Sequence, residues 1–331
     1  MGPVTKQDML ETRLLRIEPP EGGPVRLGLR EKRSPSSDRR QPPVLLLHGA
    51  TLAGALFDLP RPGYSLMAEL ASAGRTVYAL DVRGYGTSIG GAAMDQPPGG
   101  RPPFAGADDA VRDVDAAVAF ILKRCAVPAL DLVGFSWGAI TAARYASGHP
   151  AQIRRLVLYA PLFAELNPIW LDRIADASDR RRLAPSFGAY RLITAAGLID
   201  RWNSDLPGGD PAVFREAGIA ELVFDTLAAL DPRSASQEPR AFRCPNGALA
   251  DMVQVFNGRA LFDPARLAMP ILVVRGERDT TSTETEARRL LALCVSPAKH
   301  YRVIETASHF LCIERKRVKL YDELDKFLCP G

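Results

Sequence analysis

Short apolar runs alternate with amphipathic segments along most of the chain. Two runs of strand length are "PVLLLHG" at 43–49 and "RTVYALDVRG" at 75–84. A segment between runs, "DDAVRDVDAAVAFILKRC" at 108–125, repeats apolar residues at helical spacing. Continuous apolar strands that alternate with helices are typical of a parallel sheet with helices on both faces. We therefore predict an α/β fold with a doubly wound, mostly parallel sheet.

Strands are also predicted towards both ends of this pattern. A short β pair is expected from "ETRLLRIEPP" at 11–20 and "PVRLGLREKR" at 24–33, closed by the polar turn "SPSSDRRQ" at 34–41. The remaining predicted strands are "ALDLVGFS" (129–136), "IRRLVLYAP" (153–161), "MPILVVRGERD" (269–279) and "KHYRVIE" (299–305).

One long segment interrupts the alternation. From Leu162 to about Leu267 the sequence has several helical candidates and no convincing strand, and joints rich in proline and glycine such as "DLPGGDP" separate them. We predict a core formed by residues 1–161 and 269–331. Residues 162–268 are predicted to be a helical cap, inserted between two core strands and placed like a lid over the sheet.

Composition and charge exclude several classes of function. The formal charge of +4 arises from 42 basic and 38 acidic residues, and no Lys/Arg block typical of nucleic-acid binding is present. No apolar run reaches the length of a signal peptide or a membrane-spanning helix. We therefore expect no nucleic-acid partner and no stable membrane insertion. The oligomeric state cannot be predicted, and a homo-oligomer stays possible.

The cysteines and the absence of cofactor motifs narrow the chemistry further. Five cysteines are scattered without the CxxC spacing of a zinc site, which favours reduced thiols in the cytoplasm. Neither a GxGxxG nor a P-loop pattern occurs. We expect neither a metal nor an organic cofactor.

The stretch "GFSWG" at 134–138 joins a predicted strand to a predicted helix. A serine between two glycines at such a junction is typical of a nucleophile elbow, where a strained turn displays the hydroxyl at a helix N-terminus. A serine hydroxyl needs a base to accept its proton, and the base needs an acid that orients its ring. Ser136 is therefore a candidate nucleophile whose partners must lie elsewhere in the chain.

Candidates for both partners follow later strands. Asp279 ends "PILVVRGERD", and His309 follows the strand in "YRVIETASHF". Side chains at the carboxyl ends of strands are where doubly wound sheets place their sites. Glu277 and Asp263 are the alternatives for the acid. The other three histidines are predicted to have structural roles. His48 is expected to fix a loop, His149 to end a helix and His300 to begin a strand.

Four further motifs accompany "GFSWG" in a fixed order: "LLLHGA" (45–50), "LDVRGYGTS" (80–88), "GERD" (276–279) and "SHF" (308–310). Over residues 12–328 the chain resembles an α/β-hydrolase. The resemblance implies Ser136 as nucleophile, His309 as base and Asp279 as its orienting acid. It also implies an oxyanion hole formed by the backbone N–H groups of Trp137 and Ala50, with Thr51 as the alternative to Ala50.

A serine triad with two N–H donors suits acyl chemistry, most simply the hydrolysis of a small carboxylic ester or lactone through an acyl-enzyme. The elbow also resembles that of prolyl aminopeptidases, which use acidic lid residues to bind an α-amino group. Candidates for such residues here are Glu165, Glu216, Glu221 and Asp225. Carbon–carbon bond hydrolysis and acyl transfer use the same triad. Outside catalysis, a ligand receptor with the hydrolase fold is the rival.

Substrate selectivity is expected to lie in the cap. Candidate substrate-binding aromatics are Trp137, Trp170, Phe187 and Trp202. The arginines of the cap would suit an acidic substrate if they faced the pocket, although a solvated helix face accounts for several of them. They are Arg173, Arg180, Arg181, Arg182, Arg191, Arg201 and Arg215.

Overall fold

The computed structural model describes residues 10–19, 25–35, 41–88, 90, 92–206 and 209–329. Most of the predicted turn "SPSSDRRQ", and positions 207 and 208 of the joint "DLPGGDP", lie outside these residues. The strands are β1 (Glu11–Ile17), β2 (Leu27–Arg33), β3 (Val44–Leu47), β4 (Val77–Asp81), β5 (Leu130–Phe135), β6 (Ile153–Tyr159), β7 (Tyr190–Thr194), β8 (Ala241–Pro245), β9 (Ile271–Gly276) and β10 (Lys299–Ile304).

The helices follow the same order along the chain. They are α1 (Leu66–Ser72), α2 (Ala92–Asp95), α3 (Ala107–Cys125), α4 (Trp137–Gly148), α5 (Pro168–Ile174), α6 (Ala195–Asn203), α7 (Pro211–Phe214), α8 (Ile219–Ala228), α9 (Gly247–Phe256), α10 (Glu284–Leu293) and α11 (Arg317–Leu328).

Eight of the described strands form one sheet, in the order β1-β2-β4-β3-β5-β6-β9-β10. The pairs β1–β2 and β2–β4 are antiparallel, and the other neighbours are parallel. Every residue of β3, β4, β5 and β9 is buried, because helices pack over the sheet. The predicted doubly wound, mostly parallel α/β sheet is confirmed.

The parallel pairing brings the functional candidates to one edge. Strands β3, β5, β6, β9 and β10 are consecutive neighbours, and their carboxyl ends therefore point the same way. The chain that leaves β3 carries Ala50, the chain that leaves β5 carries Ser136, and the chains that leave β9 and β10 carry Asp279 and His309. Residues far apart in sequence thus meet above the sheet.

The chain between β6 and β9 folds into helices α5 to α9 together with a separate two-stranded antiparallel sheet, β7–β8. The expectation of a cap without strands was wrong. Tyr190 to Thr194 is rich in aromatic and β-branched residues, which favours a strand, and the next helix begins only at Ala195, where the Thr194 side chain caps α6. The limits 162–268 for the cap, and the core limits 1–161 and 269–331, stay predictions.

Candidate active site

The turn around Ser136 is backbone-strained and requires both of its glycines. Ser136 has φ 57° and ψ −118°, a conformation that residues other than glycine rarely adopt. A Cβ at Gly134 would lie 2.3 Å from the Gly138 carbonyl oxygen, and one at Gly138 would lie 2.4 Å from that of His48. The close approach of α4 to β5 and β3 therefore depends on the pattern Gly-x-Ser-x-Gly.

Ser136, His309 and Asp279 form a continuous hydrogen-bonded chain. The Ser136 Oγ lies 2.9 Å from Nε2 of His309. The other ring nitrogen, Nδ1, lies 2.8 Å from Oδ2 of Asp279. All three residues are 4% exposed, which limits the water that competes for these hydrogen bonds. The three residues that the sequence predicts to act together therefore meet in the geometry of a nucleophile, a base and an orienting acid.

Asp279 is held by its backbone neighbours as well as by the imidazole. Its Oδ1 accepts hydrogen bonds from the N–H groups of Thr281 at 2.9 Å and Ser282 at 2.8 Å. Burial raises the pKa of this carboxyl, but His309 and the Ser282 N–H outweigh burial, so its pKa is lowered overall. Asp279 is therefore an anion that can fix the imidazole orientation and stabilise an imidazolium.

The loop of His309 is fixed from below by Tyr159 on β6. The Tyr159 hydroxyl donates to the His309 carbonyl oxygen at 2.9 Å and accepts from the Cys312 N–H at 3.1 Å. The ring of Phe135 stacks on that of Tyr159, with centroids 4.6 Å apart, and lies 5.1 Å from the His309 imidazole. These contacts restrict the imidazole to one position beside Ser136.

His48 orders the loop that follows β3. The Val82 N–H donates to Nε2 of His48 at 3.1 Å, so the other ring nitrogen carries the proton and donates to the Gly49 carbonyl oxygen at 2.9 Å. Burial lowers the pKa of His48, which keeps the ring neutral. The Gly49 carbonyl shares a peptide unit with the Ala50 N–H, and this hydrogen bond makes that N–H a stronger donor.

The two backbone N–H groups expected to form the oxyanion hole have no hydrogen-bond partner among the described residues. Within the described residues, neither the Ala50 N–H nor the Trp137 N–H donates to an acceptor. Trp137 is the first residue of α4, where helix N–H groups have no partner in the helix. The Thr51 N–H is unpaired within the same residues, so both alternatives for the second donor are retained. An oxyanion hole at Trp137 and Ala50 stays a prediction.

A mostly apolar cavity of about 210 Å³ opens onto Ser136 and His309. Its core wall consists of Gly49, Ala50, Thr51, Leu52, Phe135, Ser136, Thr281, His309 and Phe310. Its cap wall consists of Trp170, Ile174, Phe187, Arg191, Ile193, Gly197, Leu198, Arg201, Leu249 and Met252. The candidate reacting groups thus lie on the core wall, and more than half of the lining residues lie on the cap wall.

A family profile described as serine aminopeptidase, S33, matches residues 43–316, which is most of the chain. The chain belongs to this family. Its motifs and sheet likewise place it in the α/β-hydrolase superfamily, and this S33-family protein is a hydrolase. A search of curated proteins found no match to the sequence.

Solved structures support the same fold. The chain is similar to 2-hydroxy-6-oxo-6-phenylhexa-2,4-dienoate hydrolase from Rhodococcus sp. strain RHA1, with a TM-score of 0.64, 19% identity, and 96% of this chain and 99% of that chain covered. It is also similar to E-2-(acetamidomethylene)succinate hydrolase, with a TM-score of 0.63, 20% identity, and 96% of this chain and 99% of that chain covered. A third similar structure is a thermophilic esterase from Thermogutta terrifontis, with a TM-score of 0.61, 20% identity, and 96% of this chain and 98% of that chain covered. At these identities the likeness concerns the fold.

Two of the four candidate substrate-binding aromatics of this hydrolase line the cavity, namely Trp170 and Phe187. Trp137 and Trp202 do not, and the prediction is corrected for both. Each is fully buried and donates its indole N–H to a carboxylate: Trp137 to the partly buried Asp251 at 2.8 Å, and Trp202 to the buried Glu314 at 2.9 Å. The two indoles therefore join the cap to the core.

The alternative acids have other partners. Glu277 accepts a hydrogen bond from the Thr306 N–H, and Asp263 caps a short helical turn at Ala265. The cap acids proposed for an aminopeptidase are likewise outside the cavity lining that the structure describes. Glu165 accepts from Thr283, while Glu216 and Asp225 pair with arginines.

Sequence reasoning did not distinguish Arg191 and Arg201 from the other cap arginines, and it missed Thr281 and the apolar residues of α9. Only tertiary packing brings these residues to the cavity. The only feature of the sequence that pointed to Arg191 and Arg201 was the high arginine content of the cap. No helix of the described residues is long and apolar enough to cross a membrane.

Proposed function

We propose that this S33-family hydrolase cleaves a carboxylic ester or lactone of a small molecule through an acyl-enzyme on Ser136. The observation that carries the proposal is the unbroken hydrogen-bonded chain from Asp279 through His309 to Ser136, which ends in an apolar cavity. A buried serine, imidazole and carboxylate in this order constitute a general solution to acyl transfer.

The proposed reaction has two halves. The Ser136 Oγ attacks the substrate carbonyl while Nε2 of His309 takes the serine proton, and the tetrahedral oxyanion lies against the N–H groups of Trp137 and Ala50. The imidazolium then donates this proton to the departing alcohol oxygen. A water molecule, deprotonated by the same Nε2, attacks the acyl-enzyme. The second tetrahedral species then collapses, the imidazolium returns the proton to the Ser136 Oγ, and the acid is released.

An ester fits the cavity better than the α-amino substrate of an aminopeptidase. No Asp or Glu is among the described residues that line the cavity, so a protonated amine would find no anionic partner there. Carbon–carbon hydrolysis and acyl transfer would use the same residues, and a receptor would bind without sustained turnover. These are outcomes that kinetics separates.

Two broader predictions are retained as part of the proposal. The substrate is a small molecule rather than a nucleic acid, in keeping with the size of the cavity and its apolar lining. The five cysteines, all free thiols in the structure, are in keeping with a reducing compartment such as the cytoplasm.

The test is steady-state hydrolysis of 4-nitrophenyl esters of increasing acyl length. We expect multiple turnovers with a preference for short or medium chains, because the cavity is small. If the folded protein turned over none of the esters, the ester assignment would be wrong, and proline-terminated amides would be tried next. A single turnover per chain would instead favour a receptor.

A further inference from the structure

The polar groups of the cavity are almost all hydrogen-bond donors. Apart from Ser136 and His309, the polar side chains that line it are Thr51, Arg191, Arg201 and Thr281. In the part of the chain that the structure describes, no Asp, Glu, Asn or Gln side chain reaches the lining. A ligand that fills this cavity must therefore supply the acceptors.

The two threonines reinforce this asymmetry. The Thr51 Oγ accepts a hydrogen bond from Arg191 at 3.0 Å, and the Thr281 Oγ accepts from Arg201 at 2.8 Å and from the Trp170 indole at 3.2 Å. Because arginine and indole groups only donate, the proton of each hydroxyl remains available for another acceptor. Both hydroxyls can thus present an O–H to a ligand.

The two arginines differ in how their charge is balanced. Arg201 pairs with the buried Asp205, with Nη1 and Oδ2 3.1 Å apart, and its guanidinium lies over the rings of Trp170 and Phe310. For Arg191, no carboxylate of the described chain lies within ion-pair distance. Its positive charge is therefore the unbalanced one at the cavity.

Arg191 is nevertheless fixed in place by neutral acceptors. Its Nη1 donates to the Pro245 carbonyl and to Asn246 Oδ1, both at 2.9 Å, and its Nη2 donates to the Ala50 carbonyl and to Thr51 Oγ at 3.0 Å. These bonds orient the guanidinium without neutralising it, and within the described ranges no acceptor is bonded to its Nε–H. A half-buried cation without a counter-ion beside an apolar cavity favours an anionic ligand.

We infer that the substrate carries a carboxylate in addition to the carbonyl that reacts, and that Arg191 with the Thr51 hydroxyl binds this carboxylate. The inference rests on the proposed function for the reaction itself. Arg191 is the specificity-determining residue because Arg201 already has Asp205 as its partner. The site takes an acidic ester, such as a half-ester of a dicarboxylic acid, in preference to a neutral ester of equal length.

The inference is tested with a matched pair of substrates, mono-4-nitrophenyl adipate and 4-nitrophenyl hexanoate. They share the leaving group and the length of the acyl chain, and they differ in a terminal carboxylate. We expect wild type to have the higher kcat/KM for the adipate half-ester, and Arg191→Gln to lower the ratio of the two kcat/KM values by about 10- to 100-fold. Arg191→Lys, which keeps the charge, should retain part of the preference.

The ratio is the informative quantity, because Arg191 also holds the Ala50 carbonyl and its loss slows both substrates. The matched control is Arg181→Gln, which removes a charge from the cap at a side chain that is 82% exposed and outside the cavity. This control should leave the ratio as it is in wild type. An unchanged ratio in Arg191→Gln, or no preference in wild type, would overturn the inference while leaving the esterase intact.

A binding experiment separates the inference from the proposed function. Calorimetry would measure the affinity of adipate for Ser136→Ala and for Ser136→Ala/Arg191→Gln. If neither ester were hydrolysed but adipate bound and required Arg191, the ester function would be wrong and the anion site would stand. If adipate bound both variants equally or not at all, the anion site would be refuted.

Discussion

The core wall and the cap wall of the cavity differ in how their residues are positioned. On the core wall, Ser136, His309 and Ala50 each lie in the chain that leaves a parallel strand, so the backbone of one sheet sets their places. On the cap wall, Trp170 and Arg201 come from helices whose places depend on packing between side chains. In the proposed function, the core wall therefore carries the chemistry of acyl transfer, and the cap wall carries the choice of substrate.

Hydrogen bonds join the two walls directly at Thr51 and Thr281, and two carboxylates also join the cap to the core. Asp251 of α9 accepts from the indole of Trp137, the residue next to the nucleophile, and burial raises the pKa of Asp251 to about 6. Glu314, near His309, accepts from Ser308 and from the indole of Trp202 in α6. A change in the cap can thus reach the candidate triad through these carboxylates, and substitutions on each wall measure how far the two are separable.

The largest effect is expected at the core wall. Ser136→Ala should lower kcat by about 10⁴- to 10⁶-fold, because no other group can form the acyl-enzyme. The thermal midpoint should change little, since removing one hydroxyl leaves the packing intact. Steady-state hydrolysis and thermal unfolding would be measured together. Substantial residual turnover in a pure, folded variant would place the chemistry elsewhere.

The next effect separates two roles within the triad. His309→Ala removes the base, whereas Asp279→Asn keeps the side-chain shape and removes the charge that orients and stabilises the imidazole. We expect Asp279→Asn to retain about 10- to 100-fold more kcat than His309→Ala. Equal losses in the two variants would mean that Asp279 does more than orient the ring.

A smaller effect on turnover is expected at the contact between the walls. Trp202→Phe removes the indole donor to the buried Glu314 and should lower the free energy of unfolding by about 1–3 kcal/mol, with little change in acyl-chain preference. The matched variant is Trp170→Phe, whose ring lines the cavity. It should shift chain preference more than Trp202→Phe does. The reverse pattern would contradict the division between a lining residue and a joining residue.

The smallest effect on turnover, but a distinct one on stability, is expected at Glu286 in α10. This carboxylate accepts from the N–H of Phe163, where the cap segment leaves the core. Burial raises its pKa from 4.5 to about 8. The native state therefore keeps a proton that the unfolded chain loses above about pH 4.5, and stability falls as pH rises from there to about 8.

Glu286→Gln should remove this pH dependence, which amounts to about 1 kcal/mol per pH unit within that window. Chemical denaturation at several pH values between 5 and 8 would measure it. Glu284→Gln is the control, because Glu284 lies in the same helix, exposed and paired with Arg288. A wild-type stability that does not fall with pH would show that Glu286 is ionised in the native state at little cost.

Much of the core was predictable because its signals are local. Apolar runs predicted the buried central strands of the main sheet, and Gly134 and Gly138 flank Ser136 because any larger residue would clash with neighbouring backbone. The places of Asp279 and His309 were predictable because each comes at or after the end of a predicted strand. In each case a backbone rule sets where the side chain must lie.

The cap was less predictable because its signals are not local. Strand β7 was not predicted because it lies among helical candidates and its partner is distant. Tyr190 to Thr194 pairs with Ala241 to Pro245, about fifty residues away. Trp137 and Trp202 were expected at the cavity as aromatics near the site. In the structure both are buried, and their indole N–H groups donate to Asp251 and Glu314 instead. Likewise, Arg191 differs from the exposed Arg181 only through its contacts in the fold.

The most direct test of the central claim is to trap the acyl-enzyme. Wild type would be mixed with 4-nitrophenyl butyrate, quenched rapidly, and examined by intact mass and peptide mapping, with Ser136→Ala in parallel. The account predicts one acyl group per wild-type chain, attached to Ser136, and none in the variant. Acylation at another residue, or hydrolysis that proceeds in Ser136→Ala without any acylation, would contradict it.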